Sequence, residues 1–289
     1  MSGVQVKFWG TRGSIPVPGR KTLKYGGNTS CVEIRHGESI FVCDSGTGIR
    51  ELGNSLMGEF KGKQLKVNLF IGHTHWDHIQ GFPFFVPSYV PKNRIQVYSV
   101  KSVGDTFENI LKGQMGLNYF PVEMGDMMAQ IEFKHTRPDF EVEGVRVRTM
   151  FTNHPGVNVT YRFDFPDGQS VVYLTDHENH QAFGGKNELM VRQDDLIEEF
   201  CRDVGLLIAD SQYTDDEYKM KKGWGHSRWR DAVNLAMGAE VKTLALFHHE
   251  PDRIDDDVDA ILAQSREIIA SSESKVECIA AAEGGVVNL

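Results

Sequence analysis

The run Leu65–Ile71, LKVNLFI, is followed at once by GHTHWDH. The first half is short, apolar and rich in branched side chains, the pattern of a buried strand. The second half puts His73, His75, Asp77 and His78 within six residues. A strand that ends at Gly72 sets the next side chains at the carboxyl edge of a sheet, where α/β proteins place their sites. Residues two apart in an extended loop point the same way, which pairs His73 with His75. Asp77 and His78 follow as the chain turns into a helix. Imidazole and carboxylate are ligands for Zn, Mn or Fe.

The chain repeats this arrangement. His154 follows the run 144–151, Asp176 follows 170–174 and His248 follows 241–247. Each is a ligand-type residue at the end of an apolar strand. Four residues of one loop are too few for two metal ions, so further ligands must come from such places. His249 competes with its neighbour His248.

Further strand-like runs lie at 4–9, 31–35, 39–44, 94–100, 130–134, 139–151, 158–165 and 170–175, with a turn at FPDG, residues 165–168. Ile49, Leu52 and Leu56 repeat with helical period, and 105–115 predicts a helix. In the last third, helices at 193–203, 228–238 and 254–271 alternate with strands at 205–210 and 241–247. The acids Asp255–Asp257 fall where the last helix begins, as its dipole favours. The fold class is mixed α/β, and two sheets packed face to face with helices outside fit it. With no linker in view, residues 1–289 are expected to form a single domain.

The net charge of −9 argues against a general nucleic-acid coat, which needs a basic face. The basic clusters Arg20–Lys24 and Lys219–Lys222 are expected to be solvated loops. Cys31, Cys43, Cys201 and Cys278 form no C-x-x-C pair, which argues against a cysteine zinc site and a disulfide framework. No apolar run is long enough to cross a bilayer, and the N-terminus lacks the pattern of a signal peptide. The expected location is cytoplasmic.

The set His73-x-His75-x-Asp77-His78, His154, Asp176 and His248 resembles the binuclear site of metallo-β-lactamase-fold hydrolases, in order and over nearly the whole chain. The resemblance implies an α+β, four-layer αβ/βα sandwich. It implies two divalent metal ions per chain, one on His73, His75 and His154, the other on Asp77, His78 and His248, with Asp176 bridging. The family's last ligand follows its strand directly, which selects His248 over His249. A bridging aspartate, where antibiotic-cleaving members carry Cys, is typical of phosphodiesterase, nuclease and glyoxalase branches. The N/O donor set leaves Zn, Mn and Fe open.

Two further motifs, GLLIADSQYT with Asp210 and KKGWGHSRWR with His226, resemble those of tRNA 3′-processing nucleases and related phosphodiesterases. There an acid orients a histidine that protonates the leaving oxygen. FWGTRGSIPVPG and DSGTGIRELG resemble the same branch, and Arg12 and Asn28 are candidates for substrate contact. The glycines Gly10–Gly13 and those of YGGNTS match no phosphate-loop pattern and are expected to be turns. In that branch a long basic arm separates the equivalents of His154 and Asp176, but here only 21 residues do. The expectation is therefore hydrolysis of a small phosphodiester, a cyclic nucleotide among them, by a hydroxide shared between two metals about 3.5–4 Å apart. Bulk nucleic-acid binding is not expected. Asp77, Asp210 and His226 are the catalytic assignments. The alternatives are an RNA-processing nuclease, or a lactone or thioester hydrolase on the same fold. Dimers are common on this scaffold, so a homodimer fits the resemblance. Trp76, Phe82, Phe84, Phe85, Tyr89, Trp224 and Trp229 lie near the motifs and divide between core packing and a nucleobase pocket. The segment 118–128 is expected to be a loop.

Overall fold

The computed structural model of the protein describes residues 3–100 and 106–289. The chain divides into two compact units. The first comprises Met1–Pro18, Gly26–Arg137 and Ala282–Asn288. Its strands are β1 (Val4–Gly10), β2 (Cys31–His36), β3 (Ser39–Cys43), β4 (Lys66–Ile71), β5 (Arg94–Ser99), β6 (Gln130–His135) and β14 (Val286–Asn288). They form one sheet in the order β14-β1-β2-β3-β4-β5-β6. The β14-to-β3 half is antiparallel and the β3-to-β6 half parallel. Parallel β3 and β4 therefore bring Asp44 and Gly72–His78 to the same edge.

The helices of this unit are α1 (Ile49–Phe60), α2 (Trp76–Ile79) and α3 (Phe107–Gln114). Ile49, Leu52 and Leu56 lie on one face of α1, three and four residues apart, and enter a core with Val42, Leu69, Val97 and Phe107. Phe82 and Phe85 join that core, whereas Trp76 is 78% exposed. Helix α3 starts at its cap Thr106, and Asp105 of the expected helix 105–115 lies outside the described residues. Glycines 10 and 27 admit backbone, not ligand: a Cβ on either would overlap the carbonyl of Thr29 or Val17.

The second unit comprises Gly19–Tyr25, Pro138–Ala281 and Leu289. Its strands are β7 (Asp139–Val142), β8 (Val145–Phe151), β9 (Val159–Asp164), β10 (Ser170–Leu174), β11 (Leu206–Asp210), β12 (Thr243–Phe247) and β13 (Glu277–Ala280). The sheet order is β13-β12-β11-β10-β9-β8-β7, antiparallel from β7 to β10 and parallel from β10 to β13. Its helices are α4 (His180–Gly184), α5 (Glu188–Cys201), α6 (Asp215–Lys221), α7 (Trp229–Gly238) and α8 (Asp255–Ser271). Ile197, Trp229, Val233 and Ile261 from the helices pack with Val172, Leu207 and Leu244 of the strands. Asp176, Asp210 and His248 stand at or just past the ends of three parallel strands, so their side chains start from one edge.

Some expectations need correction. The run 139–151 is two strands, because Glu143 and Gly144 adopt positive φ and turn the chain. Helix α5 begins at Glu188 and not at 193, since Asn187 accepts a hydrogen bond from the Met190 amide and caps it early. The Lys219–Lys222 cluster belongs mostly to α6, started by a Thr214–Glu217 capping box. All four cysteines are buried and free. Among the described residues no helix is long and apolar enough to cross a membrane.

Candidate metal centre and proton donor

In the first unit, β4 delivers the histidine loop. The rings of His73 and His75 lie 4.4 Å apart and those of His73 and His78 4.2 Å apart. Asp77 and His78 are buried, with Asp77 Oδ2 3.1 Å from His78 Nε2. The Ser14 amide donates to Asp77 Oδ2 at 2.8 Å. Sequence reasoning missed Asp44. Its carboxylate accepts from the Gly72 amide at 2.9 Å and meets His78 Nδ1 at 2.6 Å. It adopts φ 61°, a conformation that costs a non-glycine residue and is kept where the surroundings fix it. The signal was available: SIFVCD repeats the motif of an apolar strand ending in a ligand-type residue.

In the second unit, Asp176 and His248 also adopt left-handed backbone, φ 55° and 61°. Asp176 Oδ1 lies 3.3 Å from His248 Nε2, and its Oδ2 3.6 Å from His154 Nε2. His154 Nδ1 donates to the Gly225 carbonyl at 2.9 Å, and His248 Nδ1 to Gln212 Oε1 at 3.0 Å. His249 instead sends Nε2 to the Ala281 carbonyl at 2.9 Å. Asp176, Asp210, His226 and His248 offer ligand atoms all within 4.8 Å of one another.

These residues fit a metal. With Nδ1 of His78, His154 and His248 each engaged by a carboxylate, a carbonyl or an amide oxygen, the lone pair of each ring sits on Nε2. That is the arrangement by which outer partners fix the tautomer of metal-binding histidines. The donors are nitrogen and oxygen, suited to Zn, Mn or Fe. Such His/Asp clusters suit the binding of two metal ions by this chain.

Beside them stands His226, whose Nδ1 lies 2.8 Å from Asp210 Oδ2 and 3.9 Å from Asp176 Oδ2. Its ring stacks on that of His248 at 5.0 Å. Asp210 Oδ1 also accepts from the Gln212 amide at 3.0 Å. The Gln212 side chain donates to Glu250 Oε2 at 2.6 Å, which turns its carbonyl toward His248. Gln212 thus joins the Asp210–His226 pair to His248. Glu178 is a second residue the sequence did not reveal. Its buried carboxylate accepts the amides of Gly223 and Gly225 and the hydroxyl of Tyr218. Burial, then the bond to Glu178, pushes the Tyr218 phenol well up, so it stays a donor.

Some residues have other duties. Asn28 is held by Glu283 through both side chain and amide, and Arg12 Nε donates to the Gly26 carbonyl at 2.8 Å. His177, His180 and Asp194 form another cluster, but Asp194 is engaged by His180 Nδ1 and by the amides of His180 and Gln181 at the start of α4. Burial, then His180, pushes His177 down to about 4, and its Nδ1 accepts the Asn153 amide.

Comparison with known proteins agrees with this geometry. Residues 40–249 match the beta-lactamase superfamily domain. The chain is 25% identical to ribonuclease Z of Thermoplasma acidophilum, over 95% of each protein. It is 24% identical to ribonuclease Z of Sulfurisphaera tokodaii, over 91% of this chain and 93% of that protein. Among solved structures, the metallo-beta-lactamase fold protein YhfI from Bacillus subtilis superposes over 100% of both chains with TM-score 0.70 at 17% identity. The short form of human tRNase Z does so over 98% of both chains, with TM-score 0.63 at 19% identity. The fold class is therefore the expected one. The expectation against nucleic acid is overturned, because relatives matching nearly the full chain are ribonucleases. Net charge describes the whole surface, whereas a nucleic acid is gripped by a local patch. The chain belongs to the beta-lactamase superfamily and is a metal-dependent hydrolase of the metallo-β-lactamase fold.

Proposed function

We propose that this hydrolase cleaves phosphodiester bonds, with RNA as the leading substrate class. The ligands would be His73, His75 and His154 for one ion and Asp77, His78 and His248 for the other, with Asp176 shared. Divalent ions there would neutralise phosphoryl oxygens and lower the pKa of bound water. The observation that carries the reading is the Asp210–His226 pair, 2.8 Å apart, beside Asp176 and His248. Asp210 holds the His226 Nδ1 proton, which leaves Nε2 as the atom that gives a proton to the leaving oxygen. Phosphodiesters need that donor because an alkoxide leaves poorly, and such general acids contribute about 10²–10⁴ in rate. The ribonuclease relatives support RNA. A cytoplasmic location goes with this reading.

A second reading, a small diester such as a cyclic nucleotide, is favoured by one observation. The stretch between His154 and Asp176 is taken up by the β9–β10 hairpin, closed at Phe165–Gly168. The test is to measure metal content on protein purified without chelator. Wild type and His226→Ala are then assayed on a precursor tRNA with a 3′ trailer, on 2′,3′- and 3′,5′-cyclic nucleotides, and on bis-p-nitrophenyl phosphate. The expected result is close to two metals per chain and turnover of a nucleotide diester that collapses in the variant. Two metals with no diester cleaved by wild type would refute the proposal and send the search to lactones and thioesters.

A further inference from the structure

The turn that carries His226 also holds an indole outward. Trp224 is 59% exposed, whereas Trp229, on the other side of His226, is buried in the core. Gly223 and Gly225 flank Trp224 with φ of 87° and 89°. Each donates its amide to the buried Glu178 carboxylate, at 2.9 and 3.1 Å. The Gly225 carbonyl in turn accepts from His154 Nδ1. The backbone on both sides of Trp224 is thus pinned from below. A second exposed aromatic lies beside this turn: a Cβ on Gly223 would meet Cε2 of Phe183 at 3.5 Å. Exposed Lys222 and Lys186 neighbour Trp224 and Phe183 in the chain.

An exposed aromatic face on a fixed backbone is what base stacking needs. Every base has a π-face, and a pre-ordered platform spares the ordering cost on binding. Two steps of chain span at most about 7 Å, the scale of a nucleoside, and Trp224 and His226 are two positions apart with Gly225 between them. We infer that Trp224, with Phe183 beside it, is the platform for a substrate nucleobase on the side of the leaving oxygen. This rests on the phosphodiesterase reading for its place in the reaction. Trp224 is a positioning residue, and the sugar of the stacked base is what it presents to His226.

The test uses metal-loaded wild type, Trp224→Ala and Trp224→Phe, titrated calorimetrically with AMP, ribose 5-phosphate and a short single-stranded oligoribonucleotide. Wild type should bind AMP more tightly than ribose 5-phosphate. Trp224→Ala should weaken AMP about 5- to 150-fold, the range of one base–aromatic stack. It should leave ribose 5-phosphate unchanged, and Trp224→Phe should restore most of the AMP affinity. AMP should quench indole fluorescence in wild type and not in Trp224→Phe. Equal wild-type affinity for AMP and ribose 5-phosphate would overturn the platform, as would an alanine variant that weakens both alike. A larger loss for the oligoribonucleotide than for AMP assigns the platform to RNA, and an equal loss assigns it to a lone nucleotide. Hydrolysis of bis-p-nitrophenyl phosphate by wild type separates the two readings. No cleavage alongside base-dependent AMP binding removes the phosphodiesterase and keeps the platform. Cleavage without base dependence does the reverse.

Discussion

Replacing Asp210 by Asn changes one atom and tests the whole proton-donor reading. The Gln212 amide donates to Asp210 Oδ1 at 3.0 Å, and His226 Nδ1 meets Oδ2 at 2.8 Å. In the variant the amide oxygen is held by the Gln212 N–H, so the NH₂ group faces His226. Nδ1 must then accept and Nε2 carries the single proton, so the protonated ring loses its partner. A hydrogen bond to a charged group is worth about 1.5–3 kcal/mol, a factor of about 10–150 in rate. The wrong tautomer adds to that, and the ceiling is the whole contribution of a general acid, about 10²–10⁴. The assay compares kcat on a nucleotide diester, whose alkoxide needs the proton, with kcat on bis-p-nitrophenyl phosphate, whose phenolate leaves without help. Asp210→Asn should cost about 10²–10³ on the first and less than about tenfold on the second. The double variant Asp210→Asn/His226→Ala should be no worse than His226→Ala, because residues acting as a unit are not additive. Equal losses on both substrates would refute the reasoning, and so would multiplying losses in the double variant. Either result would make Asp210 a support of the metal ligands and not of an acid.

Other perturbations follow from the same contacts. Gly225→Ala puts a Cβ into the His154 ring at φ 89°, so it should lower stability by about 1–3 kcal/mol and reduce metals retained after dialysis; unchanged metal content would contradict the role of the Gly225–His154 contact. Glu178→Gln sets an amide against three donors, two backbone amides and the Tyr218 hydroxyl, and should cost about 1–3 kcal/mol in urea unfolding, with a smaller loss for Tyr218→Phe. Burial would raise the Glu217 carboxyl, but hydrogen bonds from Arg253 and Thr214 hold it below its ordinary 4.5. The contribution of that pair is thus present above about pH 4.5 and lost as pH falls through the folded value. Arg253→Met should accordingly lower the urea midpoint at pH 7 and differ less from wild type near pH 3; a constant difference would show that packing, not charge, accounts for the effect.

Which parts of this molecule were legible in the sequence follows from how far each signal reaches. An apolar strand is a local pattern, and so is the ligand-type residue after it. That is why His73 to His78, Asp176, Asp210 and His248 could be placed at sheet edges before any coordinates, and why the mixed fold class followed from the strand spacing. Elements set by caps and turns were legible less well. Asn187 starts α5 early and Glu143–Gly144 divides 139–151, and neither interrupts the apolar pattern strongly. Gln212 and Glu178 were not legible at all, because their importance lies in partners 36 and 45–47 residues away. The expectation against nucleic acid failed for a related reason. A net charge of −9 averages over the chain, while Lys222 and Trp224 lie at one turn that Glu178 ties down, with Phe183 beside Gly223. Composition can exclude a uniformly basic surface, but it cannot exclude a few side chains brought together by a buried carboxylate far away in sequence. Glu178 fixes the turn that carries Trp224 and His226, and the Gly225 carbonyl of that turn holds His154, so loss of Glu178 should disturb all three side chains together.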